Sequence, residues 1–251
     1  MNYKLRCTAP GTVLGHAGSE LHALLFSALR STEEDFAAKI HALELKPFAL
    51  GPLRGRFNRE SGYLNIEKDC LYSFELATLD AEMTGFLPRI KTHLTENDIR
   101  LGGASFCLEE AKPLFKNSRP YFKLMASIEE KDDLGVVFKS PACFRRAGKL
   151  ILFPLPDLLV TGLAKRWEHF SDVALPVFNP DSIMVSKYGL KTSLVKFDRY
   201  NLVGFRGYCN YSFTEEARDI DRWSLAVLLK FAIFAGVGYK TTMGMGQIRV
   251  L

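Results

Sequence analysis

The stretch Gly236-Val237-Gly238-Tyr239-Lys240-Thr241-Thr242-Met243-Gly244-Met245-Gly246 decides how the rest of this 251-residue chain is read. Two glycine pairs each enclose one apolar residue, Val237 or Met245, and the five residues between the pairs include Lys240, Thr241 and Thr242. Glycine adopts positive φ and lets backbone come close to a ligand, so successive N–H groups can face phosphate oxygens. Lys240 adds charge and the threonines add hydroxyl donors. The same composition also suits a tight turn that only lets a helix pack on a sheet. Upstream, Leu225, Leu228, Leu229 and Ala232 fall on one helical face, and downstream Gln247–Leu251 reads as a strand. The order helix, loop, strand excludes a dinucleotide fingerprint, and the spacing is not that of a Walker A loop.

Working backwards, Ser212-Phe-Thr-Glu215 has the capping-box pattern expected to open that long helix. Ser182–Val185 and Leu202–Phe213 predict strands, Leu155–Phe170 a helix, and Val136-Val137-Phe138 a first strand. The chain's first half follows the same plan. Tyr3–Thr8 alternates like an edge strand. Leu21, Leu24, Leu25, Ala28 and Leu29 form one apolar helical stripe with Ser19 placed as its cap. Thr32 precedes Glu33, Glu34 and Asp35 at the start of a second short helix that buries Phe36, Ala37 and Ile40 and ends at His41. Strands follow at Phe48–Leu50 and Cys70–Ala77, a helix over Asp80–Leu94 interrupted or restarted near Pro88, and a strand over Ile99–Leu108. Gly51–Ser61 reads as an exposed loop carrying Arg54, Arg56 and Arg59. The fold class expected is α+β, with two ferredoxin-like (β-α-β-β-α-β) lobes in tandem, residues 1–125 and 126–251, divided at the charged stretch 109–133.

Hydrophobic residues make up 47% of the chain, enough for a sizeable core. The five cysteines are odd in number and widely spaced. With no C-x-x-C pair, they predict reduced thiols and no zinc site. No basic-then-apolar leader opens the chain and no apolar run approaches the roughly 20 residues that span a bilayer, so a cytoplasmic protein without membrane contact is expected. The net charge of +5 is uneven: residues 141–251 hold 15 Lys+Arg against 9 Asp+Glu, and residues 1–140 hold 18 against 19. The excess points to an anionic partner for the C-terminal half.

The position of the glycine-rich loop just before the last strand, and its G-φ-G-x5-G-φ-G spacing, closely resemble the C-terminal loop of the RAMP superfamily of CRISPR-associated RNA-binding proteins. The helix Leu21–Arg30, the short helix Asp35–Ile40, His41 directly after it and Lys46-Pro47-Phe48 opening a strand are similar to the repeat-processing endoribonucleases of that superfamily. Two features depart from the pattern. Phe26 stands where many relatives carry a tyrosine, and Ala49-Leu50-Gly51-Pro52 stands where they tend to show a serine. The resemblance implies an endoribonuclease that cuts CRISPR precursor RNA within the repeat, with a homodimer and other CRISPR-associated effector proteins as further partners. The alternative is a non-catalytic RAMP subunit that binds guide RNA.

RNA carries its own nucleophile, the 2′-hydroxyl, so cutting it needs only proton transfer and stabilisation of a charged phosphorane, with no metal and no cofactor. A histidine, titrating near roughly pH 6.5, suits that transfer. His41 is the candidate acid or base, Lys46 the candidate cation for the phosphate, and His22, Arg54 and Arg56 are candidate supports. His41 also fits a simple cap at a helix C-terminus. His16, His93 and His169 read as surface or structural residues, without metal-site spacing. For RNA contact the loop offers Gly236, Gly238, Lys240, Thr241, Thr242, Gly244 and Gly246. The second lobe offers Lys139, Arg145 and Arg146, with Phe144 able to lie against a base. Lys187, Lys191 and Lys196 sit on an expected hairpin, and Trp167 and Trp223 are expected core anchors.

Overall fold

Strand pairing turns the expected order of elements into two ferredoxin-like sheets in the computed structural model, which describes residues 1–114, 121–126 and 134–251. The chain forms two compact units. The first comprises Met1–Lys116 with Val195–Leu202 and Thr242–Gly244, and the second comprises Asn117–Leu194, Val203–Thr241 and Met245–Leu251. The stretch 109–133, on which the expected division at residue 125 rests, lies largely outside the described residues.

In the first unit the chain runs β1 (Asn2–Ala9), β2 (Gly11–Leu14), α1 (Gly18–Thr32), α2 (Glu34–Ala42), β3 (Phe48–Leu50), β4 (Arg54–Gly55), β5 (Asn58–Glu60) and β6 (Tyr63–Ile66). It continues through β7 (Leu71–Thr78), α3 (Ala81–Gly85), α4 (Leu87–Glu96), β8 (Ile99–Leu101) and β9 (Ala104–Lys112). The main sheet has the order β3-β7-β1-β9-β8, with β4 also on β7. Taking β1, β3, β7 and β9 as the four strands of the motif, this is the ferredoxin-like order. β1 is therefore central, paired with both β7 and β9, where an edge strand was expected. Its alternation reflects a sheet with one face in the core and one in water, which a central antiparallel strand shows as well as an edge strand does. Tyr3, Leu5 and Cys7 are fully buried. Lys4 and Arg6 face away from them and pair across the strands with Glu110 at 2.9 Å and Glu109 at 2.8 Å.

Three local expectations are corrected here. Gly51–Ser61 is not an open loop: β4 extends the sheet edge, and β5 pairs with β6 in a separate β2-β6-β5 sheet. Its polar composition reflects exposure on a small sheet rather than lack of pairing. Ser19 does not cap α1, whose N-cap is Ala17 in a left-handed conformation. Thr32 closes α1 by bonding its hydroxyl to Ala28 O at 2.8 Å, and α2 starts behind Glu33 without a side-chain cap.

The second unit runs α5 (Tyr121–Ala126), β10 (Leu134–Ala142), β11 (Phe144–Arg146), β12 (Lys149–Ile151), α6 (Pro156–Phe170), β13 (Ile183–Lys196), β14 (Asn201–Phe213), α7 (Asp219–Ala235) and β15 (Ile248–Val250). Its sheet order, β13-β14-β10-β15, repeats the ferredoxin-like order. Trp167 is fully buried and edge-on to Phe231 and Tyr121, so it is a core anchor as expected, whereas Trp223 is half-buried. Among the described residues no helix is long and apolar enough to cross a membrane.

α7 begins later than the Ser212–Glu215 pattern suggested, because β14 continues through Phe213 and a turn follows. The N-terminus is built on Asp221. Its carboxylate accepts from Arg218 N at 2.9 Å, from Asn179 N at 2.7 Å and from the Arg218 guanidinium at 2.8 Å. The Arg218 hydrogen bond, aided by these N–H donors, holds the Asp221 carboxyl down at about 2, against an ordinary 3.8. A lowered folded-state value means that the stabilisation is complete above the unfolded value and is lost as pH falls towards the folded one. Asp221→Ala should therefore cost about 1–2 kcal/mol at neutral pH in chemical denaturation, the usual range for a lost cap. The gap from wild type should close between about pH 4 and pH 2.

Candidate functional site

His41 lies in the last turn of α2 with its side chain in solvent. Its ring stands edge-on to Phe26 with centroids 5.5 Å apart, and His22 lies on Phe26 at 4.7 Å. Phe26 is thus flanked by two imidazoles, one exposed and one half-buried, and it also meets Phe48 of β3 at 6.1 Å. The apolar stripe of α1 does not predict this placement. Phe26 is off the stripe yet buried, because the shelf formed by α2 and β3 covers that side of the helix. Lys46 donates through Nζ to His41 O at 2.6 Å and also to Leu43 O, closing the C-terminus of α2, and burial pushes its ammonium below the ordinary value. The sequence-predicted pair is therefore brought together, with Lys46 on the backbone of His41. Arg54 pairs with Glu75, while Arg56 is exposed.

The glycine-rich loop has its four glycines at φ between 68° and 79°, and Lys240 at 63°. Much of its backbone is committed internally. Val237 N donates to Gly246 O, Gly246 N to Pro141 O, Tyr239 N to Cys143 O and Gly236 N to Ala232 O, at 2.8–2.9 Å. Gly236 and Gly246 are buried and Gly238 is exposed. Between the glycine pairs Lys240 and Thr242 are half-buried, whereas Thr241 and Gly244 are buried. Arg145 lies over the Tyr239 ring at 5.0 Å and Lys240 at 5.2 Å, so two cations flank one aromatic ring beside the loop. Arg146 is tied to Asp157, and Lys139 is exposed. Phe144 is 4% exposed and packed on Phe205, so it belongs to the core and offers no surface to a base.

Two residues that hold the loop were missed in the sequence. Arg166 of α6 donates to Ala235 O, to Gly236 O at 3.4 Å and to Thr241 Oγ1 at 3.4 Å, and burial lowers its guanidinium to about 10. Nothing in Lys165-Arg166-Trp167 signals that role. Within the first unit, buried His16 contacts Met243 O through Nε2 at 2.7 Å. A Cβ on Gly18 would stand 1.9 Å from Met243 O, and one on Gly244 2.9 Å from His16 Cδ2. The glycines around His16 and at Gly244 were the available signal, since both mark close backbone approach. His93 bonds Ser31 Oγ through Nδ1 at 2.8 Å, and His169 lies against Phe170.

Comparison with known proteins follows the same lines. The family model described as CRISPR-associated endoribonuclease Cas6 matches residues 136–248. A CRISPR-associated endoribonuclease Cas6 of Mycobacterium tuberculosis (strain CDC 1551 / Oshkosh) is 25% identical over 248 residues, covering 93% of this chain and 71% of the relative. A solved Cas6 product complex superposes with a TM-score of 0.77 at 24% identity, covering 100% of this chain and 99% of the other. A structure described as a RAMP protein binding different RNA substrates gives a TM-score of 0.66 at 16% identity over 100% of this chain and 98% of the other. These likenesses establish the fold, tandem ferredoxin-like lobes. They bear out the resemblance to CRISPR-associated endoribonucleases drawn from the loop and from the helices before His41.

The loop's backbone crossing can be tested against a harmless site. Gly246→Ala places a Cβ 1.9 Å from Val237 O at a φ of 71°, whereas Gly162, exposed on α6, has nothing within 4 Å of a Cβ. Gly246→Ala should lose about 2–4 kcal/mol of stability in denaturant titration. Gly162→Ala should gain about 0.5–1 kcal/mol.

Proposed function

We propose that this chain is a Cas6-type endoribonuclease that binds CRISPR precursor RNA and cleaves it within the repeat, without a metal, to yield guide RNA. The observation that carries the reading is the exposed His41 imidazole, set by the capped end of α2 beside Phe26, with His22 on the same ring. The overall likeness to Cas6 endoribonucleases supports the substrate class.

In this reaction the 2′-oxygen attacks the adjacent phosphorus as its proton passes to a base. The bond from phosphorus to the 5′-oxygen breaks, and an acid protonates that leaving oxygen. The ends are a 2′,3′-cyclic phosphate and a 5′-hydroxyl. His41 supplies one of these proton transfers, and His22 is placed to support it. Lys46 fixes the backbone of His41, and in this reading its ammonium is the cation that offsets the phosphorane's negative charge. Arg56 is exposed and available to the phosphate, whereas Arg54 is already neutralised by Glu75. Lys240, Thr242 and Gly238 of the loop, with Arg145, Arg146 and Lys139, contact the RNA backbone, while buried Thr241 and Gly244 shape the loop. Gly236 and Gly246 shape the turn that presents them.

A second reading, a RAMP subunit that binds guide RNA without cutting, is favoured by Phe26, which brings no hydroxyl to the position between the histidines.

End-labelled repeat RNA decides between the two. Wild type should cut in excess chelator. His41→Ala should lose about 10²- to 10⁴-fold in rate while retaining binding, the usual weight of one acid or base. A 2′-deoxy substitution at the mapped site should stop cleavage altogether. A wild type that binds but never cuts supports the subunit reading, and rescue by Mg2+ after chelation would falsify the metal-independent mechanism.

A further inference from the structure

Lys240 stands at φ 63°, in the left-handed region, in a loop whose other positive-φ positions are its four glycines. A residue with a Cβ is held there only where its surroundings fix the backbone. Hydrogen bonds do so on both sides of it. Tyr239 N donates to Cys143 O at 2.8 Å, and Met245 N donates to Lys240 O at 3.3 Å. On the far side, Nη1 of Arg166 donates to Thr241 Oγ1 at 3.4 Å. Thr241 is buried and opens a single 3-10 turn. Its methyl group packs against Gly236, where a Cβ would stand 3.0 Å from it.

Arg166 reaches this point from α6. The same Nη1 donates to Ala235 O and, at 3.4 Å, to Gly236 O, the carbonyls at the end of α7. Loss of water around the guanidinium lowers it to about 10. A basic side chain that only closes a helix needs the terminal carbonyls and nothing beyond them. The bond to Thr241 goes further. It fixes the residue that follows Lys240, and so the direction in which Lys240 leaves the loop.

We infer that Arg166 is a positioning residue for RNA binding: through the Thr241 hydroxyl it holds Lys240 in the left-handed conformation that aims its ammonium at a phosphate of the bound RNA. The inference rests on the reading of this loop as an RNA contact, and it adds a residue that touches no RNA itself. An Arg166 that served the framework alone would stabilise the junction of α7 and the loop whether or not Lys240 were present.

The test is a double-mutant cycle on the full chain. Affinity for fluorescein-labelled repeat RNA is read by anisotropy, and single-turnover cleavage at saturating RNA is read beside it. Lys240→Ala should weaken binding about 10-fold, the lower end for one charge-assisted hydrogen bond. Arg166→Met should lose up to the same factor alone and nothing further in the Lys240→Ala background. Its cleavage rate at saturation should match wild type, so that only the half-saturating concentration moves. Thr241→Val, which replaces only the hydroxyl and leaves Arg166 in place, should reproduce the loss, and Thr241→Ser should recover most of it. If Arg166→Met fails to fold, the threonine variants decide: wild-type affinity in Thr241→Val overturns the proposal. Equal losses on removing Arg166 with and without Lys240 overturn it too and assign Arg166 to the framework. Wild-type affinity in Lys240→Ala leaves nothing to be positioned and removes this inference alone. A wild type that does not bind the repeat RNA removes the RNA-binding reading with it.

Discussion

Backbone meeting backbone without side chains between is the constraint on which the second unit depends. The chain leaves α7, turns at Gly236, crosses beside β10 and returns to β15, and at each crossing a main-chain N–H meets a main-chain carbonyl: Val237 with Gly246, Gly246 with Pro141, Tyr239 with Cys143. A methyl group at Gly246 or Gly238 would stand within 2.3 Å of a carbonyl oxygen. The apolar residues enclosed by the glycine pairs, Val237 and Met245, are driven into the core by the same geometry. β15 can therefore join β10 only because the loop is nearly bare. Of the residues between the glycine pairs, Tyr239, Lys240 and Thr242 are half-buried and carry charge or hydroxyl groups outward, while Thr241 is buried against Arg166.

That division of labour explains why the loop could be read in two ways from its composition, as a ligand cradle or as a packing turn. Both descriptions apply, to different residues. The flanking glycines make the turn, and the interior presents polar groups to solvent. Arg166 adds a second layer beneath it. It satisfies carbonyls at the end of α7 that the helix itself cannot, at the cost of placing a guanidinium where water is scarce.

Most of the fold was legible in the sequence because it is written in periodicity. The stripe of α1, the short helix ending at His41, the restart near Pro88 and the strand–helix alternation of the second half each rest on spacing that tertiary packing did not need to override. What was not legible depended on partners distant in sequence. β1 could not be placed at the sheet centre, because alternation reports one wet face and is silent on how many neighbours a strand has. The capping box at Ser212–Glu215 failed because β14 had pairing to continue, and Asp221 found Asn179 instead. Likewise Phe26, Phe48, His22 and His41 converge through α1, α2 and β3. His41 could be singled out by its place after a helix, but the ring between the two histidines could not.

The two sheets share one topology and differ in how their solvent faces treat charge. In the first, cross-strand carboxylates stand opposite the cations, which is the arrangement expected of a surface adapted to water alone, since such exposed pairs contribute little and chiefly suppress attraction to other charges. In the second, the four strands contain no aspartate or glutamate. Fold alone says nothing of function, and two copies of the same architecture in one chain make that visible. What separates the two sheets is the sign of the side chains that alternate out of the core.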